Sequence, residues 1–273
     1  MPPAELTDVS THFRFGQNWE QFAQKLSPSR IAIAEACLSR LFDGRLDGRS
    51  FLDIGSGSGL SALAAIHLGA SPVVASDIDE DSVRTTQATL SHYASGSQFA
   101  VHRASVFDLP QDQYDVVHSW GVLHHTGDMW RAIRTSALRV KPNGIYAIAI
   151  YLKTPFCGLW KQEKRVYTAL PPAGQRLVLS AYRALVRLAL RLRGRSPDEV
   201  WKSYESGRGM DQDHDLHDWL GGYPYESASA EEITSFMRRM GFSLVRSFDT
   251  GPRMGVLGTG CAEYVFQRMQ QVS

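Results

Sequence analysis

The segment Phe51-Leu-Asp-Ile-Gly-Ser-Gly-Ser-Gly-Leu60 constrains this chain more than any other. A short apolar run ends in an acidic residue and three alternating glycines, and a helical pattern then leads to a second apolar run, Val73-Val-Ala-Ser-Asp77. Gly55, Gly57 and Gly59 lie where a strand must turn into a helix, a place that needs dihedrals a side chain would obstruct and lets backbone approach a ligand closely. The arrangement reads as a βαβ nucleotide cradle with Asp77 set for a ribose. It is not the dinucleotide form, because the third glycine follows the second by two positions instead of three, which leaves no pyrophosphate grip.

The same rhythm continues. Strands are predicted at Phe51–Ile54, Val73–Ser76, Phe99–Arg103, Tyr114–Ser119 and Gly144–Tyr151, with helices at Leu60–Leu68, Asp81–Tyr93 and Met129–Leu138. Strands separated by helices in this way imply a mostly parallel sheet covered on both faces. Upstream, Asn18–Phe42 is helical in two pieces, with Ser27-Pro28 as cap and first-turn proline of the second. After Tyr151 the rhythm fails. It resumes with a helix over Ala230–Met240 and strands at Phe242–Phe248 and Ala262–Gln267, joined without a helix and so expected to be antiparallel. The expected fold is α/β, a Rossmann-like, mostly parallel seven-stranded sheet with an antiparallel terminal strand and a helical cap insertion. Its parts are an N-terminal helical flap and lead (1–49), a nucleotide-binding core (50–151), a substrate cap (152–228) and a completion of the core (229–273).

At 273 residues the chain accommodates one large domain with an insertion. A net charge of +1 gives no global attraction to nucleic acid or anionic membrane. Cys37, Cys157 and Cys261 are scattered and odd in number, which favours a reducing compartment, and a cytoplasmic setting is expected. The first residues lack a basic head and an apolar core, so no signal peptide is expected.

Asp53, immediately before the loop, would repel a pyrophosphate but can receive a cationic part of a ligand or orient backbone amides around it. Asp77 can accept both hydroxyls of a ribose. Asp108 can accept from an adenine amino group, with Val106 or Phe107 packed on the base. Asp79 reads as a helix-start residue. Together with His118-Ser-Trp-Gly-Val-Leu-His-His125, these motifs resemble class I S-adenosylmethionine-dependent methyltransferases over about Ser50 to Tyr151. Less specifically, Phe15-Gly-Gln-Asn-Trp19 and Asp218-Trp-Leu-Gly-Gly-Tyr-Pro-Tyr-Glu226 resemble bacterial enzymes grouped with ubiquinone-biosynthesis O-methyltransferases. The resemblance implies that Gly55, Ser56, Gly57 and Gly59 surround the methionine part of S-adenosylmethionine, Asp77 the ribose hydroxyls, and Phe107 with Asp108 the adenine, with Ile78 and Val106 also at the cofactor. It also implies that His118 and Ser119 line the cofactor.

Methyl transfer from a sulfonium needs a nucleophile held at near-attack distance and, for some acceptors, a base. His124 and His125 follow the fourth strand on the loop that borders both ligands. By analogy with related enzymes His125 is preferred as base, with His124 expected to cap a helix or pack beneath the cofactor. His214 is a third catalytic candidate. His214, His217 and Asp218 share one helical face and could hold a divalent ion, but two histidines do not make a closed coordination set, and no metal is assigned. Acceptor contacts are expected from Phe15, Trp19, Tyr151, His217, Asp218, Trp219, Tyr223 and Tyr225, with structural anchoring the competing role for the last two.

From Lys153 to Arg195 there are ten Lys or Arg and one acid, Glu163. Two readings stand: a basic amphipathic helix touching a membrane or an anionic substrate, or a cap helix with its basic face in water. Nucleic acid is disfavoured, since Asp211, Asp213, Asp215 and Asp218 would oppose a phosphate track. The expected activity is methylation of a small-molecule acceptor on oxygen by a monomer or homodimer. N- or S-methylation, RNA nucleoside methylation and a non-catalytic S-adenosylmethionine-binding regulator are the alternatives.

Overall fold

In the computed structural model, residues 8, 12–13, 15–200, 212–249 and 260–270 are described. Two helices, α1 (Phe15–Ala23) and α2 (Pro28–Phe42), precede the sheet. The Ser27 side chain accepts the Arg30 N–H at the start of α2, with Pro28 in its first turn, so the local signal and the observed boundary coincide. The alternating core follows as β1 (Phe51–Ile54), α3 (Leu60–His67), β2 (Val73–Asp77), α4 (Glu80–Tyr93), β3 (Phe99–Arg103), β4 (Tyr114–Trp120), α5 (Met129–Ala137) and β5 (Val140–Tyr151). Residues 152–228, expected as the cap, hold α6 (Cys157–Ala169), α7 (Pro172–Leu192) and α8 (Gln212–Gly221). The chain then returns through α9 (Ala230–Arg239), β6 (Phe242–Asp249) and β7 (Cys261–Arg268).

The seven strands are ordered β3-β2-β1-β4-β5-β7-β6. The first five run parallel, and β7 is antiparallel to both its neighbours. The order reverses between β1 and β4, and such a switch point opens a crevice at the carboxyl ends of the strands. Strand β5 begins four residues earlier than its sequence pattern indicates. The extra length pairs Val140 with Tyr114, ahead of a register shift between Tyr114 and Val116.

Successive side chains alternate between the two faces of the sheet. Leu52 and Val117 join Ile133 and Met237 in one core, while Phe51 and Val116 join Leu63 and Leu90 in the other. The buried face of α3 is Ala62, Leu63, Ala64 and Ala65, small enough to seat the helix closely on the strands. A third cluster joins Phe13, Tyr167, Leu216, Trp219 and Leu220, so the N-terminal lead and the residues after β5 share an apolar core of their own.

Caps follow the sequence signals. Asp79 accepts the N–H groups of Asp81 and Ser82 at the start of α4, and Ser229 with Glu232 closes a capping box on α9. Helix α5 receives a cap from far along the chain: the Glu226 carboxylate accepts the Met129 N–H at 2.8 Å, and the Glu226 N–H donates to the His124 carbonyl at 3.0 Å. Burial raises the pKa of Glu226, while the Met129 bond opposes the shift. Glu226 therefore anchors the turn after α8 to the loop carrying both histidines. Glu226→Ala is expected to lower the unfolding free energy by about 1–2 kcal/mol, in the range of a lost helix cap; a denaturant midpoint equal to that of the unaltered protein would contradict this assignment.

Candidate functional site

The crevice between the carboxyl ends of β1, β2 and β4 is continuous with a space beneath α1 and α8, and together they form a cavity of ≈ 320 Å³. One end is polar. Asp53 and His118 are register neighbours on β1 and β4, and His118 Nδ1–H donates to Asp53 Oδ1 at 2.8 Å. Both side chains are 3% exposed. The second carboxylate oxygen, Asp53 Oδ2, is buried and has no hydrogen-bond partner. A buried acceptor left in this state is costly, and a donor or cation entering the cavity would relieve it.

Asp77 closes β2 on the other side of the glycine loop. Its Oδ2 accepts the Gly57 N–H and its Oδ1 the Asp79 N–H, both at 3.0 Å. Burial raises its pKa to about 6, and the two backbone donors offset part of that shift. Because the folded pKa exceeds the unfolded one, this group's contribution to stability declines as the pH rises from 3.8 to about 6. The carboxylate is held in place against a local cost.

The loop glycines are required by what surrounds them. A Cβ on Gly57, which has φ +53°, would lie 3.1 Å from the Trp19 ring. One on Gly55 would lie 2.3 Å from the Val122 side chain. Trp19 thus lies across the loop at the nucleotide end, and α1 is docked there by the Gly16 N–H, which donates to Asp79 Oδ2 at 3.4 Å. Gly59 does not line the cavity; it starts α3 with φ +78° and approaches the Thr86 backbone, so its role is to let α3 and α4 pack.

Beyond Asp77 the wall continues through Ile78, Ala104, Ser105, Val106 and Phe107. The outer side of the Phe107 ring is covered by the Arg131 guanidinium, 4.5 Å from its centroid. Asp108, expected at the adenine, is exposed and outside the lining, because the short helical turn Val106–Asp108 directs it to solvent. Ser119 is also outside the lining: it is fully buried and donates to the Ile54 carbonyl at 3.0 Å, fastening β4 to β1.

The other end of the cavity is aromatic. Phe13, Phe15, Trp120, Tyr151 and Trp219 line it, with His12, His124, His125 and Asp218. Trp120 is oriented by its indole N–H, which donates to Glu263 at 2.9 Å, and that carboxylate is in turn paired with Arg40 at 2.5 Å. His124 packs against Tyr151 with centroids 4.0 Å apart and the ring planes tilted by 44°.

The two histidines differ in a way their adjacency conceals. His125 Nδ1–H donates to the Pro224 carbonyl at 2.8 Å, and its ring fills the space where a Cβ on Gly222 would stand, 2.5 Å from Cε1. Backbone at Pro224 and Gly222 holds that ring, yet burial still lowers its pKa to about 3. His124 is buried and neither ring nitrogen has a partner. Burial holds its pKa well below the usual range, and the neighbouring His125 and Lys164 push it in the same direction. Both rings are neutral near pH 7, and both His124 nitrogens are buried without a hydrogen-bond partner. Both residues line the cavity, His124 buried and His125, the one preferred from sequence, half-buried.

Among the other expected contacts, Asp218 lines the cavity and accepts from Asn18 Nδ2 at 2.7 Å, which ties α8 to α1. His217 lies outside the lining, its Nδ1 engaged by the Tyr167 hydroxyl at 2.6 Å. Tyr223 and Tyr225 are buried behind the wall; Tyr225 packs on Tyr151 and donates to Cys157 Sγ at 3.4 Å. The His214 side chain falls outside the described residues. Among the described residues no three His, Cys, Asp or Glu side chains are grouped to hold a metal ion.

Several participants carry no local sequence signal. His12 and Phe13 reach the cavity from the lead, and Cys261 from the start of β7. Lys164 is fully buried, donates to the Trp219 carbonyl, and stands 4.0 Å above the Trp219 ring. Burial lowers its pKa and raises that of Glu163, whose carboxylate lies 3.9 Å away. The pair Glu163-Lys164, the one acid in a basic stretch beside a lysine, was the available hint.

A family model described as a methyltransferase domain matches residues 29–247. The chain is 40% identical over 81 residues to the ribosomal protein L11 methyltransferase of Neisseria gonorrhoeae, a match covering 30% of this chain and 26% of that protein. It is 26% identical over 138 residues to the ubiquinone biosynthesis O-methyltransferase of Parvibaculum lavamentivorans, covering 48% of this chain and 53% of that protein. The chain thus spans about half, or less, of the length of these curated relatives. Magnesium protoporphyrin IX methyltransferase from Synechocystis PCC 6803, solved with bound SAH, shares the fold with a TM-score of 0.58 and 17% identity, over 92% of this chain and 93% of that one.

Gly57→Ala is expected to displace Trp19 from the loop, since a left-handed backbone and a 3.1 Å contact both oppose the new methyl group. The readouts are a red shift of tryptophan emission and a loss of about 1–2 kcal/mol of stability; an unchanged emission spectrum would show that the contact is not made.

Proposed function

This chain belongs to the methyltransferase-domain family, and from that premise we propose that it transfers a methyl group from S-adenosylmethionine to an oxygen atom of a small-molecule acceptor. The observation that carries the proposal is one cavity with two chemically distinct ends. One end offers two carboxylates and the glycine loop, and the other a neutral, unpartnered imidazole among aromatic rings.

The polar end fits the cofactor. Asp53 Oδ2 is a buried acceptor in need of a donor or a cation, which suits the positively charged methionine part. Asp77 is already aligned by Gly57 and Asp79 to take hydroxyls of a ribose. Ile78, Val106 and Phe107 give an apolar slot for a base, and Trp19 closes the loop side. S-adenosylmethionine, when bound, supplies an electrophilic methyl group on a sulfonium.

The remaining work falls to the chain's own residues. Phe15, Tyr151 and Trp219 exclude water and position an apolar acceptor. His124, neutral and with unpartnered nitrogens, accepts a hydrogen bond from the acceptor hydroxyl and orients a lone pair of its oxygen. With its pKa held low, the imidazole retains a proton poorly, so orientation is its main contribution and the proton passes on to solvent. His125 and Glu226 keep that loop in place from behind.

The test is product analysis with S-adenosylmethionine and a panel of hydroxylated, amino and thiol acceptors, comparing the unaltered protein with His124→Ala. O-methylated product is expected, with kcat lowered about 10²-fold in the variant and cofactor affinity preserved. N- or S-methylated product alone would overturn the assignment to oxygen, and an unchanged kcat would remove His124 from the reaction. A second expectation follows from Asp77. Its proton must leave before the carboxylate can accept ribose hydroxyls, so cofactor affinity should fall by up to tenfold per pH unit below about 6. Calorimetric titration should show that dependence lost, along with most of the affinity, in Asp77→Asn.

A further inference from the structure

Helix α7 has a face that the proposed reaction does not use. Over its 21 residues, about 30 Å in length, no side chain is fully buried. Its inner side, through Val178, Leu179 and Tyr182, packs on the Phe13–Trp219 cluster. Its outer side carries Leu177, Leu185, Leu188 and Leu192, which are 72, 52, 54 and 79% exposed. With Ala181 between the first two, their spacing of four, four, three and four residues makes a single continuous stripe. Beside it runs a second row, Arg176, Arg187 and Arg191, all exposed. From Lys164 to Pro197, both included, the sequence contains eight Lys or Arg and no Asp or Glu.

Leaving four leucines in water is unfavourable by roughly 1.5–3 kcal/mol each relative to full burial, so the stripe has a use when covered. The shape of α7 narrows the choice. It is a convex ridge rather than a groove, and a ridge with an apolar side flanked by long cationic side chains suits a planar interface, in which leucines enter the acyl boundary and arginines extend to the headgroups. A second copy of the chain is a poor match, because pairing two such stripes brings one arginine row near another with no acid on the helix to separate them. Crossing the bilayer is not required: no described helix is long and apolar enough to do so.

We propose that α7 docks this protein peripherally on membranes rich in anionic lipid, through the leucine stripe and its arginine row. An acceptor dissolved in the membrane would then reach an enzyme already concentrated at its surface. The proposal stands independently of which atom is methylated.

The full chain is sedimented with vesicles of phosphatidylcholine alone and of phosphatidylcholine with 30% phosphatidylglycerol, at fixed ionic strength. Binding to the anionic vesicles only is expected, reduced about 25-fold in Arg176→Gln/Arg191→Gln at roughly fivefold per arginine, and abolished in Leu185→Glu/Leu188→Glu. Thermal unfolding and S-adenosylmethionine binding without vesicles should be unchanged in both variants, which separates lost docking from lost fold. Failure to sediment with either vesicle, or binding that survives both variants, overturns the proposal. Retention on immobilised polyglutamate without vesicle binding overturns it in favour of an acidic protein partner. A concentration-dependent dimer in ultracentrifugation that Leu185→Glu/Leu188→Glu dissolves, without vesicle binding, overturns it in favour of self-association.

Discussion

The half-buried carboxylate of Asp77 is the contact on which the site depends. It receives one N–H from the glycine loop and one from the turn into α4, so a single side chain sets the distance between the end of β2 and the loop after β1. Burial disfavours its charge, and the backbone donors only partly offset this. The same turn carries Asp79, which caps α4 and receives the Gly16 N–H of α1. Sheet, loop and N-terminal helix are therefore joined within three residues, and Trp19 reaches Gly57 as a consequence.

The acceptor end is organised by different physics. Its walls come from six separated parts of the chain: the lead, α1, the end of β4 with the loop after it, the end of β5, α8 and the start of β7. They are held together by apolar burial and by long-range backbone bonds such as Glu226 to His124 and Phe13 to Tyr223. Desolvation there keeps both histidines neutral, and the fully buried Lys164 behind Trp219 works against protonation as well.

Where sequence and structure part company, the reason is a contact at long range. The two adjacent histidines both line the cavity, but Pro224, ninety-nine residues from His125, takes the His125 Nδ1 proton, while both His124 nitrogens are buried without a partner. Asp108 and Ser119 sit in the expected motifs, but a helical turn carries one to solvent and the Ile54 carbonyl takes the other. Gly59 belongs to the same string as Gly57 and yet answers to Thr86 in α4 instead of to the cavity. Tyr223, Tyr225 and His217 lie one layer behind the wall for a similar reason, engaged by their own neighbours.

By itself the sequence determined the α/β class, the order of elements, the helix caps at Ser27, Asp79 and Ser229, and the placement of Asp53, the loop and Asp77 at one end of the sheet. These are local matters: strand and helix periodicity, glycine dihedrals and cap chemistry each act within a few residues. Only the tertiary structure decided which of two adjacent histidines is held by a distant carbonyl, that Trp19 covers the glycine loop, that Lys164 is buried, and that one side of α7 is left outside the core. Those outcomes depend on which distant groups take up hydrogen bonds and apolar area first, and that competition is settled by packing, not by spacing along the chain.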